Sequence, residues 1–100
     1  IVGTLQEGKR QVEAIRAISE LTSKGINARL YIVGDGNSKY KQFLWTLVTQ
    51  NGLESYVRFL GYVDNPFPLM RQADVVLMCS RAEAFGRVTI EAMKAGKPII

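Results

Sequence analysis

The chain has 100 residues, which is enough for one domain, and its hydrophobic fraction of 47% and charged fraction of 22% are those of an ordinary globular protein. No apolar run approaches the roughly 18 residues of a membrane span, a single cysteine excludes a disulfide framework, and the absence of histidine removes the commonest general base and metal ligand. The net charge of +4 favours anionic partners such as phosphates, and is too small to indicate nucleic acid by itself.

The first half of the chain predicts two strands and two helices. The apolar stretch "IVGT" at 1–4 indicates a strand, and the β-rich run at 28–33 indicates a buried one. Between them, "GKRQVEAIRAISELTSKG" predicts a helix that stops near Gly25, with an apolar face of Val12, Ile15, Ile18 and Leu21. The segment "DGNSKYKQFLWTLVTQNG" predicts a second helix, capped by Asn37 or Ser38, with an apolar face of Tyr40, Phe43, Leu44, Leu47 and Val48.

The second half continues the alternation. Strands are predicted at 57–60, 75–79 and 98–100, a short proline-opened helix in "NPFPLMRQA", and a last helix in "FGRVTIEAMKAG". Alternating strands and helices are typical of βαβ units, so the predicted fold class is α/β, a Rossmann-like doubly wound parallel sheet. Because the sequence opens inside a strand and stops as another begins, we expect residues 1–100 to be part of a larger protein.

Ligands of open α/β sheets bind beyond the carboxyl ends of the strands. In this chain those ends read "GTLQEGKR", "GDGNS", "GYVDNP" and "CSRAEAFG", all polar or rich in glycine. Gly86 and Arg87 open the last helix, whose first amides have no intrahelical partner and can hold a phosphate. The alternative for Gly86 is that it only relaxes a strand-to-helix turn.

Three charged positions could take part in such a site, and each has a plainer alternative. Glu91 could accept hydrogen bonds from a sugar diol, or form a surface ion pair with Arg87. Glu83, in the loop, could hold a sugar hydroxyl or be simply solvated. Lys9 and Arg10 could neutralise a diphosphate, or form a solvated basic first turn.

Together these segments resemble one family. Glu83 and Glu91 are separated by seven residues within "ADVVLMCSRAEAFGRVTIEAMKAGKPII", and "IVGTLQEGK", "LYIVGDGNSKYKQFL" and "VRFLGYV" stand before them in the expected order. The chain resembles the C-terminal, nucleotide-sugar-binding domain of a retaining glycosyltransferase of the two-domain GT-B type. The family is the group 1 glycosyltransferases with the Glu-x7-Glu motif.

The resemblance implies a role for each matching residue. Lys9 matches the lysine that pairs with the donor diphosphate, and Glu83 the catalytic acid that faces the donor sugar. Glu91 matches the acid on the ribose hydroxyls. The backbone of the remaining matched residues approaches the sugar and phosphate: Phe85, Gly86, Val88 and Thr89.

The sequence departs from the family pattern at three positions. Thr4 stands where the family usually has arginine, Arg10 where it usually has glycine, and Ala84 where glycine is commonest. One of the two basic diphosphate partners is therefore missing unless Arg10 replaces it. The resemblance alone thus does not imply that the chain binds donor with the full affinity of the family.

The resemblance implies transfer of a hexose from a UDP- or GDP-sugar to an acceptor hydroxyl, with no cofactor, metal or nucleic acid. The implied partners are the nucleotide-sugar donor and an N-terminal acceptor-binding domain, without which this segment is expected to be inactive. The lone Cys79 and the resemblance to this family indicate a cytoplasmic protein. The alternative is a full-length protein that associates peripherally with a membrane face. Two alternatives stay open: a GT-B-type sugar-nucleotide epimerase, which would need no acceptor, and a non-catalytic Rossmann-like module, which would bind no nucleotide.

Overall fold

The helices of the computed structural model closely follow the predicted pattern. The structure describes residues 1–80 and 86–100, and in these ranges the helices are α1 (Gln11–Ser23), α2 (Ser38–Gln50), α3 (Phe67–Gln72) and α4 (Arg87–Lys94), with a 3-10 turn at Glu7–Lys9. None of these helices is both long and apolar enough to cross a bilayer.

Helix α1 forms because its apolar residues fall on one face. Ala14, Ile15 and Ile18 are buried, and the helix is followed by Gly25 at a φ of 77°, a left-handed conformation that glycine adopts without a steric penalty. The predicted stop is therefore confirmed.

Helix α2 begins at the predicted cap. The Asn37 side chain accepts hydrogen bonds from the amides of Lys39, at 2.9 Å, and Tyr40, at 3.1 Å, so Asn37 rather than Ser38 is the N-cap. Leu44 and Val48 are buried as predicted, but Phe43 is 52% exposed. The prediction of Phe43 on the buried face was wrong, because the buried arc of this helix is narrower than its apolar stripe.

The sheet is parallel, and the α/β fold class is confirmed. Strand β1 (Leu30–Val33) pairs with β2 (Val57–Gly61) in parallel, and the register begins at Leu30 opposite Val57. Helix α2 makes the crossover between the two strands, as expected for a βαβ unit.

The other three predicted strands, at 1–4, 75–79 and 98–100, form isolated parallel bridges instead of full strands, so their extent was overpredicted. Val2 bridges to Val33 and Leu5 to Gly36, but Gly34 between them has a φ of 137°, which interrupts the ladder. Val76 bridges to Ile99, and the preceding Pro98 has no N–H to donate to a longer ladder.

Two buried clusters lie on opposite faces of this sheet. Helices α1 and α2 pack against one cluster, which Leu77 also contacts, whereas α3 and α4 contribute to the other, which contains Val76. Consecutive residues of an extended chain point to opposite faces, so helices cover both faces. This arrangement is the predicted doubly wound architecture, and it leaves the carboxyl edge of the strands open.

Candidate functional site

A cleft lies at the carboxyl edge, where the segments after the first three extended stretches meet. Its volume is about 350 Å³, and its walls are formed by Val2, Gly3, Thr4, Val33, Gly34, Asp35, Tyr62 and Val63. Among these, Tyr62 is 74% exposed, and its hydroxyl lies 3.4 Å from Asp64 Oδ1. The sequence predicted a ligand site at this edge, and it did not identify Tyr62 as part of the wall.

Gly34 and Gly36 let two backbones approach closely at the base of the cleft. A Cβ on Gly34 would overlap the carbonyl oxygen of Gly3, and a Cβ on Gly36 would overlap that of Leu5. The Leu5 amide donates to the Asp35 carbonyl over 3.0 Å, and Asp35 Oδ1 accepts from the Gly36 amide over 2.9 Å. The "GDG" segment is therefore a packing element that joins two loops of the cleft, in addition to the predicted turn before α2.

Lys9 lies at the end of the 3-10 turn and reaches back over the first extended stretch. Its side-chain methylenes lie 3.7 to 3.8 Å from the point where a Cβ would stand on Gly3, which is a wall residue of the cleft. The Lys9 amide donates to the Gln6 carbonyl over 3.0 Å. Lys9 is thus placed beside the cleft, and its predicted contact with a diphosphate stays a prediction.

Gln11 is a buried polar residue that the sequence analysis did not single out. It is fully buried, and its Nε2 donates to the Thr4 carbonyl over 2.9 Å, while its Oε1 has no hydrogen-bond partner among the described residues. A signal was present in the sequence: Gln11 precedes Ala14, Ile15 and Ile18 by three, four and seven positions, so it belongs to the buried face of α1.

Arg10 adopts a left-handed backbone, with φ 56° and ψ 41°, the conformation for which glycine is suited. Its Nη2 lies 3.2 Å from Glu13 Oε1 in a half-buried ion pair, so in this structure its guanidinium is held by α1. A direct contact of Arg10 with a diphosphate stays a prediction.

The left-handed backbone of Arg10 predicts that glycine is more stable than alanine at this position, the reverse of their order in a regular helix. We expect Arg10→Gly to be more stable than Arg10→Ala by about 1 kcal/mol, because both variants lose the ion pair but only alanine keeps a Cβ in the left-handed conformation. Urea denaturation of both variants measures the difference in unfolding free energy.

Arg16 provides a matched control for that comparison. Arg16 also pairs with Glu13, over 3.4 Å, but lies within regular helix, where glycine is about 1 kcal/mol less favourable than alanine. The order should therefore be opposite at the two positions. An Arg10→Ala variant more stable than Arg10→Gly would contradict the left-handed assignment.

Helix α4 begins at Gly86, which is extended with φ −81° and ψ 155° and provides no side-chain cap. The first-turn amides at Arg87, Val88 and Thr89 therefore have no intrahelical acceptor, and their contact with a phosphate stays a prediction. The Val88 side chain packs on the second cluster, so only its backbone can serve a ligand.

Glu91 lies within α4 and pairs with Arg87. The Nε–Oε1 distance is 3.0 Å, with the Arg87 side chain 89% exposed and that of Glu91 20% exposed. The surface ion pair expected as the plainer alternative is thus present, and an exposed pair contributes at most about 1 kcal/mol. The proposed ribose contact of Glu91 stays a prediction. Glu83 and Phe85 lie outside the described residues.

Burial changes the acidity of one thiol at this edge. Desolvation raises the pKa of the Cys79 thiol, and the nearby Glu13 carboxylate raises it further, against the effect of the Arg10 guanidinium. Cys79 is therefore protonated at neutral pH. Across residues 1–80 and 86–100, no three of the metal-binding side chains gather into a group that could hold an ion.

Comparison with known proteins identifies a family. The family model described as "Glycosyl transferases group 1" matches residues 1–100. An uncharacterized glycosyltransferase of Methanocaldococcus jannaschii is 34% identical over 99 residues, covering 99% of this chain and 24% of the relative. The N-acetyl-alpha-D-glucosaminyl L-malate synthase of Bacillus anthracis is 33% identical over 99 residues, covering 99% of this chain and 25% of the relative. The chain thus spans about a quarter of the length of these curated relatives.

Solved structures agree with the family. The crystal structure of Anabaena Alr3699/HepE in complex with UDP is 35% identical, with a TM-score of 0.84 over 98% of this chain and 28% of that one. The same protein has also been solved with UDP-glucose, and that structure matches with a TM-score of 0.81 at 34% identity. The predicted family and the Rossmann-like fold of a GT-B enzyme are therefore confirmed.

Proposed function

The chain belongs to the group 1 glycosyltransferase family, and on this basis we propose that it forms the donor-binding part of a retaining glycosyltransferase. The complete enzyme transfers a hexose from a UDP- or GDP-sugar to an acceptor hydroxyl. A second domain supplies the acceptor site, so residues 1–100 alone bind donor at best. The UDP and UDP-glucose complexes of the Anabaena relative support a uridine nucleotide as the first ligand to test.

The position of Lys9 is the observation that carries this proposal. Its side chain lies over Gly3, beside a cleft at the carboxyl edge of a parallel sheet, where ligands of such folds bind. An ammonium group there can pair with the two phosphates of a nucleotide diphosphate. The open amides at the start of α4 add a second electropositive group for the same anion.

These groups suit the chemistry of the transfer. The bond between the anomeric carbon and the diphosphate breaks, and negative charge develops on the departing phosphate oxygen. A new bond forms from the acceptor oxygen to the same face of the anomeric carbon, and the acceptor's proton passes to the departing phosphate oxygen. Lys9 and the first turn of α4 stabilise the leaving group through charge that is already in place before the reaction.

The two motif glutamates have separate roles in this proposal. Glu91, one turn into α4 from the phosphate-binding amides, accepts hydrogen bonds from the ribose hydroxyls. The Glu91 carboxylate is already paired with Arg87, so it accepts hydrogen bonds from Arg87 and from the ribose at the same time. Glu83, eight residues before Glu91 in the sequence, contacts the transferred sugar near the anomeric carbon.

Lys9→Ala tests the proposal directly. In the full-length protein we expect this substitution to weaken UDP binding by about 1–3 kcal/mol, since a charge-assisted hydrogen bond to the diphosphate is lost. Isothermal titration calorimetry with UDP and GDP measures the loss and also reports which base the protein prefers.

Lys24→Ala is the matched control. Lys24 follows the last residue of α1, whereas Lys9 precedes the first, and the Lys24 Nζ lies 3.5 Å from Glu20 Oε1 on the surface. Removing it deletes the same charge away from the cleft, so UDP affinity should stay within experimental error. Equal UDP affinity in Lys9→Ala and Lys24→Ala would show that Lys9 is a surface residue with no part in UDP binding.

A further inference from the structure

The segment that carries Lys9 has an exposed middle and two buried flanking residues. Gln6, Glu7 and Gly8 are all exposed, while Leu5 before them and Gln11 after them are buried. The 3-10 turn has internal backbone bonds from Lys9 to Gln6 and from Arg10 to Glu7, both 3.0 Å. These bonds shape the turn, and the Arg10–Glu13 ion pair joins the residue that follows it to α1.

Gln11 joins the turn to the first extended stretch. Its Nε2 donates to the Thr4 carbonyl over 2.9 Å. Thr4 is the neighbour of Gly3, and Gln11 lies two residues after Lys9, so this bond links the two ends of the turn. Gly3 and Lys9 are the two residues whose contact places the lysine beside the cleft. We propose that Gln11 is a positioning residue, which holds Lys9 over Gly3 for the donor diphosphate. This inference rests on the proposed role of Lys9 in donor binding.

Burial makes Gln11 suited to this role. Because the Gln11 side chain is fully buried, close packing restricts its rotation and favours the conformation in which its amide donates to Thr4. The other end is also fixed, because the Leu5 amide donates to Asp35 and the Leu5 side chain is 1% exposed. The turn thus spans two rigid points, and the hydrogen bond sets the separation between them.

Gln11 Oε1 has no hydrogen-bond partner in residues 1–80 and 86–100, and this provides a way to separate positioning from stability. A buried acceptor without a partner is unfavourable, so an apolar side chain of equal length removes that penalty together with the hydrogen bond. Gln11→Met should therefore unfold close to the wild-type denaturant midpoint, while its turn is no longer attached to Thr4. An affinity change in this variant would then not reflect general destabilisation.

The first measurement follows the turn without any ligand. In full-length protein labelled with ¹⁵N at lysine, we expect the backbone order parameter of Lys9 to fall in Gln11→Met, from about 0.85 toward the 0.6 of mobile segments. Lys41 is the internal reference, because its amide donates to Asn37 in the first turn of α2 and is independent of Gln11. An unchanged Lys9 order parameter would overturn the proposal.

The second measurement is a double-mutant cycle on UDP binding. We expect Gln11→Met to weaken UDP affinity about 3- to 10-fold, because Lys9 must be ordered again on binding. In a Lys9→Ala background the same change should alter affinity less than about 1.5-fold, since no lysine is left to position. In a Glu91→Ala background the full loss should remain.

The outcomes separate this inference from the function on which it rests. If Lys9→Ala leaves UDP affinity unchanged, the role of Lys9 in donor binding fails, while the order parameter still decides whether Gln11 holds the turn. If Lys9→Ala weakens binding but Gln11→Met weakens it equally in both backgrounds, the positioning role is overturned and the proposed function stands. Should Gln11→Met not fold, Gln11→Asn moves the donor out of reach of Thr4 and the same cycle applies.

Discussion

Gly34→Ala is expected to destabilise the protein by about 3–5 kcal/mol, a large share of the stability of an ordinary domain. The added Cβ would overlap the Gly3 carbonyl oxygen, and the φ of 137° at Gly34 is strained for any residue with a side chain. The backbone cannot move aside easily, because the Gly3 and Gly34 amides donate to Val33 and Gly61 over 2.9 and 2.7 Å. Urea denaturation measures the effect, and Gly34→Ala protein that does not accumulate as folded material would agree with it.

Two other glycines provide graded controls for Gly34→Ala. Gly52 has a φ of 65° but open space around it, so Gly52→Ala should lose about 1 kcal/mol from the left-handed backbone alone. Gly8 has neither constraint, so Gly8→Ala should change stability by less than about 0.5 kcal/mol. Equal losses at Gly34 and Gly52 would show that the contact with Gly3 does not limit the fold.

Glu83→Ala is expected to reduce turnover of the full-length enzyme by about 100- to 1,000-fold while leaving the affinity for free UDP nearly unchanged. The proposed contact of Glu83 is with the sugar at the reacting centre, so its contribution belongs to the transition state and appears in kcat. A turnover assay and calorimetry with free UDP measure the two quantities on the same preparation.

Glu91→Ala is the counterpart that should behave in the opposite way. A ribose contact acts on the nucleotide with or without a sugar, so free UDP and the intact donor should both weaken by about 1–3 kcal/mol. Glu20→Ala is the control, since Glu20 lies at the far end of α1 and pairs with Lys24 on the surface. Equal effects of Glu83→Ala and Glu91→Ala on free UDP would contradict the division of roles. If neither substitution changed either quantity, Glu91 would be only the ion-pair partner of Arg87.

The order and type of most elements could be predicted from local signals in the sequence. Helix α1 could be predicted because its apolar spacing and the stop at Gly25 lie within the helix or next to it. The cap at Asn37 is equally local, because the amides it accepts from are two and three residues away. Such signals need no knowledge of distant residues, and the parallel fold class followed from their alternation.

The polar and glycine residues that support the site could not be predicted, because their roles depend on contacts between segments distant in the chain. Gly34 is required because Gly3, 31 positions earlier in the chain, presses against it, and no local pattern encodes that contact. Gln11 is buried because α1 closes over the end of the first extended stretch, and Phe43 is exposed because the described residues place nothing over that side of α2. The physical reason is the same in each case: periodicity and capping act over three or four residues, whereas burial and steric contact depend on segments that only folding brings together.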